Sequence, residues 1–253
     1  MVNYYDKILE VYPTLMEEWM KLADYEPWLA IPNDHIEAIN QARDEPVRSR
    51  IKNAINSLNH LDESITKNLT LLDIGCECGV YSALAAQKFK KVIGIDNNEI
   101  AYKRGLKTKD IFTKNGYDVS NLHFKHIGFR EYIESNEYKK DKVDAILAFE
   151  VLNTFHCKIT HHWEDTTEMD LFDNLLKNVK LVMIQSKLKE KNQWEWDTSQ
   201  YVKHPVAYED GKSNSYHLYA KNEIEKYLNS NNFKTKVYSK DSNCSVVVGV
   251  LND

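Results

Sequence analysis

The chain has 253 residues, 42% of them hydrophobic, enough to bury the core of one large domain or of one domain with a modest extension. A formal net charge of -5 excludes the broad positive field of a protein that tracks a phosphate backbone along its length. Near the start, Asp6, Lys7, Glu10, Glu17 and Glu18 leave no apolar run for a signal peptide, and no later run is long enough for a membrane span, so a cytoplasmic protein is expected.

The first sixty or so residues read as helical. Pro46 can open a helix in which Val47, Ile51, Ile55 and Leu58 form one apolar stripe. Before it, Tyr4, Tyr5, Ile8, Leu9, Leu15, Met16, Trp19, Met20 and Leu22 make a bulky apolar set interrupted by Pro13. Residues 1–66 therefore read as a helical N-terminal cap, and 67–253 as the main domain.

From Asn68 the pattern changes to alternating strands and helices. Strands are expected at Leu69–Ile74, Lys91–Ile95, Leu122–His126, Val143–Phe149 and Lys180–Gln185. The helices between them are expected at Val80–Phe89, Glu99–Asn115, Phe129–Asn136 and Met169–Asn178. Such alternation of apolar strands with helices implies an α/β fold, a doubly wound and mostly parallel sheet with helices on both faces. A helix at Lys221–Asn231 is followed by strands at Phe233–Ser239 and Cys244–Leu251, joined by the polar turn Lys240-Asp241-Ser242-Asn243. The sheet should thus end in an antiparallel hairpin.

The segment Leu71-Leu72-Asp73-Ile74-Gly75-Cys76-Glu77-Cys78-Gly79 places a carboxylate and two glycines where a buried strand turns into a helix. Glycines there let a ligand approach the backbone, and a helix start offers N–H groups to a negative group. Seventeen residues beyond Gly79, the next strand ends at Asp96, a carboxylate able to accept both hydrogens of a ribose diol. A nucleotide-like ligand is implied. A dinucleotide-binding oxidoreductase would need G-x-G-x-x-G at this turn, and the chain offers G-x-E-x-G.

These residues resemble the class I S-adenosylmethionine (SAM) dependent methyltransferases. The family's glycine-rich first motif is matched at Asp73, Gly75 and Gly79, with Glu77 in place of its middle glycine, and the acidic second motif is matched at Asp96. The resemblance covers roughly residues 68–251 and implies a seven-stranded sheet ending in an antiparallel hairpin. It implies SAM as cofactor, S-adenosylhomocysteine (SAH) as product, and a donor site made of Asp73, Gly75, Cys76, Glu77, Gly79, Asp96, Asn97, Gly128, Phe129 and Glu150. In that site the first motif holds the methionine part, Asp96 the ribose, and the loop Ile127-Gly128-Phe129-Arg130 the adenine.

Acceptor residues should follow the fourth and fifth strands, because open α/β sheets bind ligands beyond the carboxyl ends of their strands. His156 is the candidate general base there. The cluster of His156, His161, His162, Glu164 and Asp165 has the composition of a metal site without a recognised ligand spacing, and no metal is expected. The four cysteines, Cys76, Cys78, Cys157 and Cys244, likewise match no zinc or disulfide framework. Further on, Trp194, Trp196, Tyr201, His204, Tyr208, Tyr216, His217 and Tyr219 fit a long aromatic loop over the acceptor. The expected reaction is methyl transfer to an oxygen or nitrogen of a small molecule. An RNA nucleotide or terminus as acceptor, and a non-catalytic SAM-binding sensor or assembly protein, remain as alternatives.

Overall fold

Leu71, Leu72 and Ile74 make the segment after Asn68 apolar on both faces, and it forms strand β1 (Thr70–Ile74), buried at all five positions. The structure is a computed structural model that describes residues 11–15, 17–18, 53–149, 151, 168–187, 221–238 and 244–252. Contacts divide the chain into two units, Met1–Val143 and Asp144–Asp253.

In the first unit, helix α1 (Glu63–Thr66) is capped by Asp62, whose carboxylate accepts from the Ser64 N–H at 2.8 Å. After β1 come α2 (Val80–Ala86), β2 (Lys91–Asp96), α3 (Glu99–Lys114) and β3 (Leu122–His126). The three strands are parallel, with Leu72 opposite Ile93 and Ile93 opposite His123, so their carboxyl ends lie on one side. Helix α3 starts at Asn98, whose side chain accepts from Ile100 N and Ala101 N, and it buries Ala101, Gly105, Thr108, Ile111 and Phe112 at helical spacing.

The single helix expected at Phe129–Asn136 is in fact two, α4 (Phe129–Glu134) and α5 (Asn136–Asp141). Ser135 separates them in extended conformation, and its hydroxyl accepts from the Tyr138 N–H at 3.2 Å. A serine offers its own backbone this alternative to helix continuation, which apolar spacing does not reveal. Asp141 then fastens α5 to the sheet, accepting from Lys91 Nζ at 2.6 Å and from the Tyr132 hydroxyl at 2.7 Å. Burial alone would raise the Asp141 carboxyl, but Lys91, Tyr132 and Lys125 hold it below its ordinary value.

The second unit contains β4 (Ala145–Phe149), α6 (Glu168–Leu176), β5 (Leu181–Lys187), α7 (Lys221–Ser230), β6 (Phe233–Tyr238) and β7 (Cys244–Leu251). Strands β4 and β5 are parallel, whereas β7 runs antiparallel to both β5 and β6. That is the terminal hairpin expected from the sequence. Strand β6 is buried at its two ends, Phe233 and Tyr238, and exposes Lys234 and Lys236 between them, charges of the kind that discourage pairing at a sheet edge. Helices α6 and α7 are linked by the Tyr227 hydroxyl, which donates to Asp173.

The seven strands run in the order β3-β2-β1-β4-β5-β7-β6, a mixed and mostly parallel sheet with helices around it. The expected α/β architecture is therefore observed. Of the expected N-terminal cap, residues 11–15, 17–18 and 53–59 are helical. Ile55 and Leu58 of the expected stripe are buried, and so are Val11, Tyr12 and Leu15; Pro13 lies inside a helical stretch instead of interrupting it. Val47 and Ile51 lie outside the described residues. Among those described, no helix is long and apolar enough to cross a membrane.

Candidate functional site

Three loops at the carboxyl ends of β1, β2 and β3 form the site. In the first, Gly75, Glu77 and Gly79 have φ of 65°, 45° and 73°, so every second residue is left-handed. The loop is stitched down by its own backbone. Cys76 N donates to Ile95 O at 3.0 Å, Gly79 N to Cys76 O at 2.8 Å, and Thr108 of α3 donates its hydroxyl to Cys78 O at 2.6 Å.

Phe124 of β3 supports this loop from beneath. A Cβ on Gly79 would lie 2.3 Å from Phe124 Cζ, one on Gly94 would lie 2.7 Å from Phe124 Cδ1, and one on Gly105 would lie 3.2 Å from the same atom. One aromatic ring thus fills the space that three glycines on three different elements leave open. The glycine in the middle of β2 was the available signal, since such a position marks a close approach. The identity of the approaching ring was not.

Asp96 ties the loops together. Its Oδ2 accepts from the Glu77 N–H at 3.0 Å and its Oδ1 from the Asn98 N–H at 2.9 Å, while its carbonyl accepts from Ile127 N at 2.9 Å. A carboxylate has about four lone-pair positions. Two are used by the backbone, so each oxygen keeps capacity to accept one hydroxyl. That matches the two O–H donors of a ribose diol, and Asp96 is fixed in place and partly exposed. The residue at the family's middle-glycine position, Glu77, is itself exposed, and its backbone N–H serves Asp96.

The third loop joins the same cluster. His126 Nε2 donates to Asn97 O at 3.0 Å, and the His126 ring stacks on Tyr102 at 5.8 Å between centroids. Gly128 caps α4 in extended conformation, a Cβ there would sit 3.9 Å from Asn97 Cβ, and Phe129 is buried behind it.

Asp73 has a different place from the loop residues. It is 2% exposed within β1 and accepts the Ser82 hydroxyl of α2, so it braces the strand-to-helix turn from inside. Burial, opposed by the Ser82 hydrogen bond and assisted by the nearby Asp96 charge, pushes its carboxyl up to about 7. Because this folded value is raised, the stability Asp73 contributes is full below the unfolded carboxylate range near pH 4 and is lost as pH rises through about 7. Asp73→Asn, which keeps an acceptor for Ser82, should melt like the parent at pH 4 and a few degrees above it at pH 8. Melting curves across that range that stay parallel for the two proteins would refute the assignment.

The Cys76 and Cys78 thiols are both pushed upward, chiefly by burial and then by neighbouring carboxylates. They stay neutral, which argues against a thiolate role for either. Among the described residues, no group of His, Cys, Asp and Glu could hold a metal ion. The structure therefore brings together Gly75, Cys76, Glu77, Gly79, Asp96, Asn97, Gly128 and Phe129, with Asp73 behind them. Glu150 and His156 lie outside the described residues, as do His161, His162, Glu164, Asp165 and the aromatic loop at 194–219. Sequence reasoning missed Ser82, Asn98, Thr108 and Phe124, whose parts depend on contacts across elements.

A family model described as a methyltransferase domain matches residues 65–232, more than half of the chain. The chain belongs to this methyltransferase family. It is an enzyme of that class, with SAM as its cofactor. Solved structures share the methyltransferase's fold. Magnesium protoporphyrin IX methyltransferase from Synechocystis PCC 6803 with bound SAH gives a TM-score of 0.53 at 16% identity, covering 82% of this chain and 86% of that one. An O-methyltransferase family protein from Burkholderia thailandensis gives 0.52 at 12% identity, covering 100% of this methyltransferase and 74% of that chain. No curated protein matches the sequence.

Proposed function

We propose that this methyltransferase moves the SAM methyl group to an oxygen or nitrogen of a small-molecule acceptor. The observation that carries the donor half is Asp96, locked by two backbone N–H groups with one accepting position left on each oxygen. In this reading Asp96 holds the ribose, the 75–79 backbone holds the methionine part, and the Ile127–Arg130 loop lies against adenine. Asp73 supports the methionine part of the site from behind, keeping the first loop in shape through Ser82. SAM held there would supply an electrophilic methyl group to an acceptor lone pair. The chain's own task is then alignment and exclusion of water. His156, which follows β4 in the sequence with Glu150, is the candidate base for the acceptor proton.

The net charge of -5 supports a small acceptor over a long nucleic acid strand. Titration calorimetry of the pure, folded protein with SAM and SAH tests the donor site, and absence of binding would overturn it. Methyl-labelled SAM offered with separate metabolite and RNA pools tests the acceptor. Label is expected in the metabolite pool; label confined to RNA would overturn the small-molecule reading, and none in either pool would favour a sensor.

A further inference from the structure

Strand β5 reads Leu181-Val182-Met183-Ile184-Gln185, and its fifth residue breaks an apolar run. Gln185 is 2% exposed, and neither Nε2 nor Oε1 of its amide has a hydrogen-bond partner among the described residues. The register sets it between Phe149, the last residue of β4, and Val246 of β7, both buried. A primary amide brings one strong acceptor and two donors. Leaving them unmade in the interior costs more than an ordinary hydrogen bond returns, whereas a methionine or leucine of similar volume would remove that cost. Gln185 also lies within three residues of the end of β5, on the side where open α/β sheets bind ligands.

We propose that Gln185 is a specificity-determining residue that hydrogen-bonds the methyl acceptor. The acceptor class it selects presents a carbonyl beside an N–H or O–H, as in an amide, a lactam, a carboxylic acid or the lactam form of a nitrogen heterocycle. Such a group meets the amide in plane with one bond given and one received. Phe149 and Val246 on either side favour an apolar body for the rest of the molecule. This assignment rests on the methyl-transfer reading above. It also makes Gln185 a residue that the free protein keeps at a cost to its own stability.

The test uses the full chain saturated with SAH, 2-pyrrolidinone as the probe, and Gln185→Met as the variant. The side-chain NH2 signals of Gln185, assigned by their loss in the variant, should shift on adding the lactam. Gln185→Met should melt about 2–4 °C above the parent, because an unpaired amide has been replaced by apolar atoms. A melting temperature at or below the parent's would show that the amide already has a partner, and would overturn the proposal. SAH binding with no lactam shift would also overturn it while leaving the donor site standing. Failure of the parent to bind SAH would instead remove the donor-site reading, and the role of Gln185 with it.

Discussion

Asp96→Ala should weaken SAH and SAM binding by about a hundredfold or more. Two hydrogen bonds from a ribose diol to a carboxylate are together worth about 3 kcal/mol or more, and 1.4 kcal/mol is a factor of ten. The structure adds a second cost, because Asp96 also satisfies the Glu77 and Asn98 N–H groups. Without it, the first loop loses one of its ties to β2. Asp96→Asn should be nearly as damaging, since its NH2 would face one of those two backbone donors with nothing to accept. Calorimetry with SAH measures the affinity, and a melting curve of each variant separates lost binding from lost folding. Unchanged SAH affinity in the well-folded alanine variant would refute the role given to Asp96.

Gly79→Ala should destabilise the fold by about 2–4 kcal/mol, from two separable sources. An alanine at φ +73° carries a left-handed penalty of about 1 kcal/mol. The new methyl would also stand 2.3 Å from Phe124 Cζ, with the Gly105 Cα at 3.2 Å on another side, so the ring has to move. Overpacking of that kind costs about 1–3 kcal/mol. Gly116 is the internal control, having φ +79° and nothing within 4 Å of a Cβ, so Gly116→Ala should show the backbone penalty alone. Adding Phe124→Ala to Gly79→Ala should relieve the clash and make the pair less damaging than the sum of its singles. Denaturant unfolding of the parent, the three single variants and the pair measures this. Equal losses for Gly79→Ala and Gly116→Ala would show that Phe124 exerts no steric constraint.

The middle of the sheet was legible because β1, β2, β4 and β5 are largely apolar on both faces and separated by helical spacing. Strand β3 has the bounds expected of it, Leu122–His126, and the terminal hairpin follows from two apolar runs joined by a polar turn. The Gly75, Gly79 and Asp96 positions were legible for a local reason, since a strand end followed by glycine or acid is visible in one dimension. Glu77 was ambiguous in sequence because a substitution at a glycine position leaves the direction of its side chain open. The structure resolves this through the backbone: the residue is left-handed, exposed, and useful for its N–H.

The rest depends on pairs far apart in the chain. Nothing in the periodicity joins Phe124 to Gly79, forty-five positions earlier, or identifies Ser82 as the partner of Asp73. Gln185 looked like the polar end of a strand, and only its burial without a partner distinguishes it.

The ring of Phe124 occupies volume that residues 79, 94 and 105 jointly vacate. These four positions therefore do not drift independently over evolutionary time. In related sequences, a side chain larger than hydrogen at any of the three is expected only where position 124 has shrunk, and a shrunken 124 with all three glycines retained should be rare because it leaves a void beneath the loop. Substitution at this place is thus a coordinated exchange between a strand, a helix and a turn, and the allowed histories of the site are fewer than the number of its residues suggests.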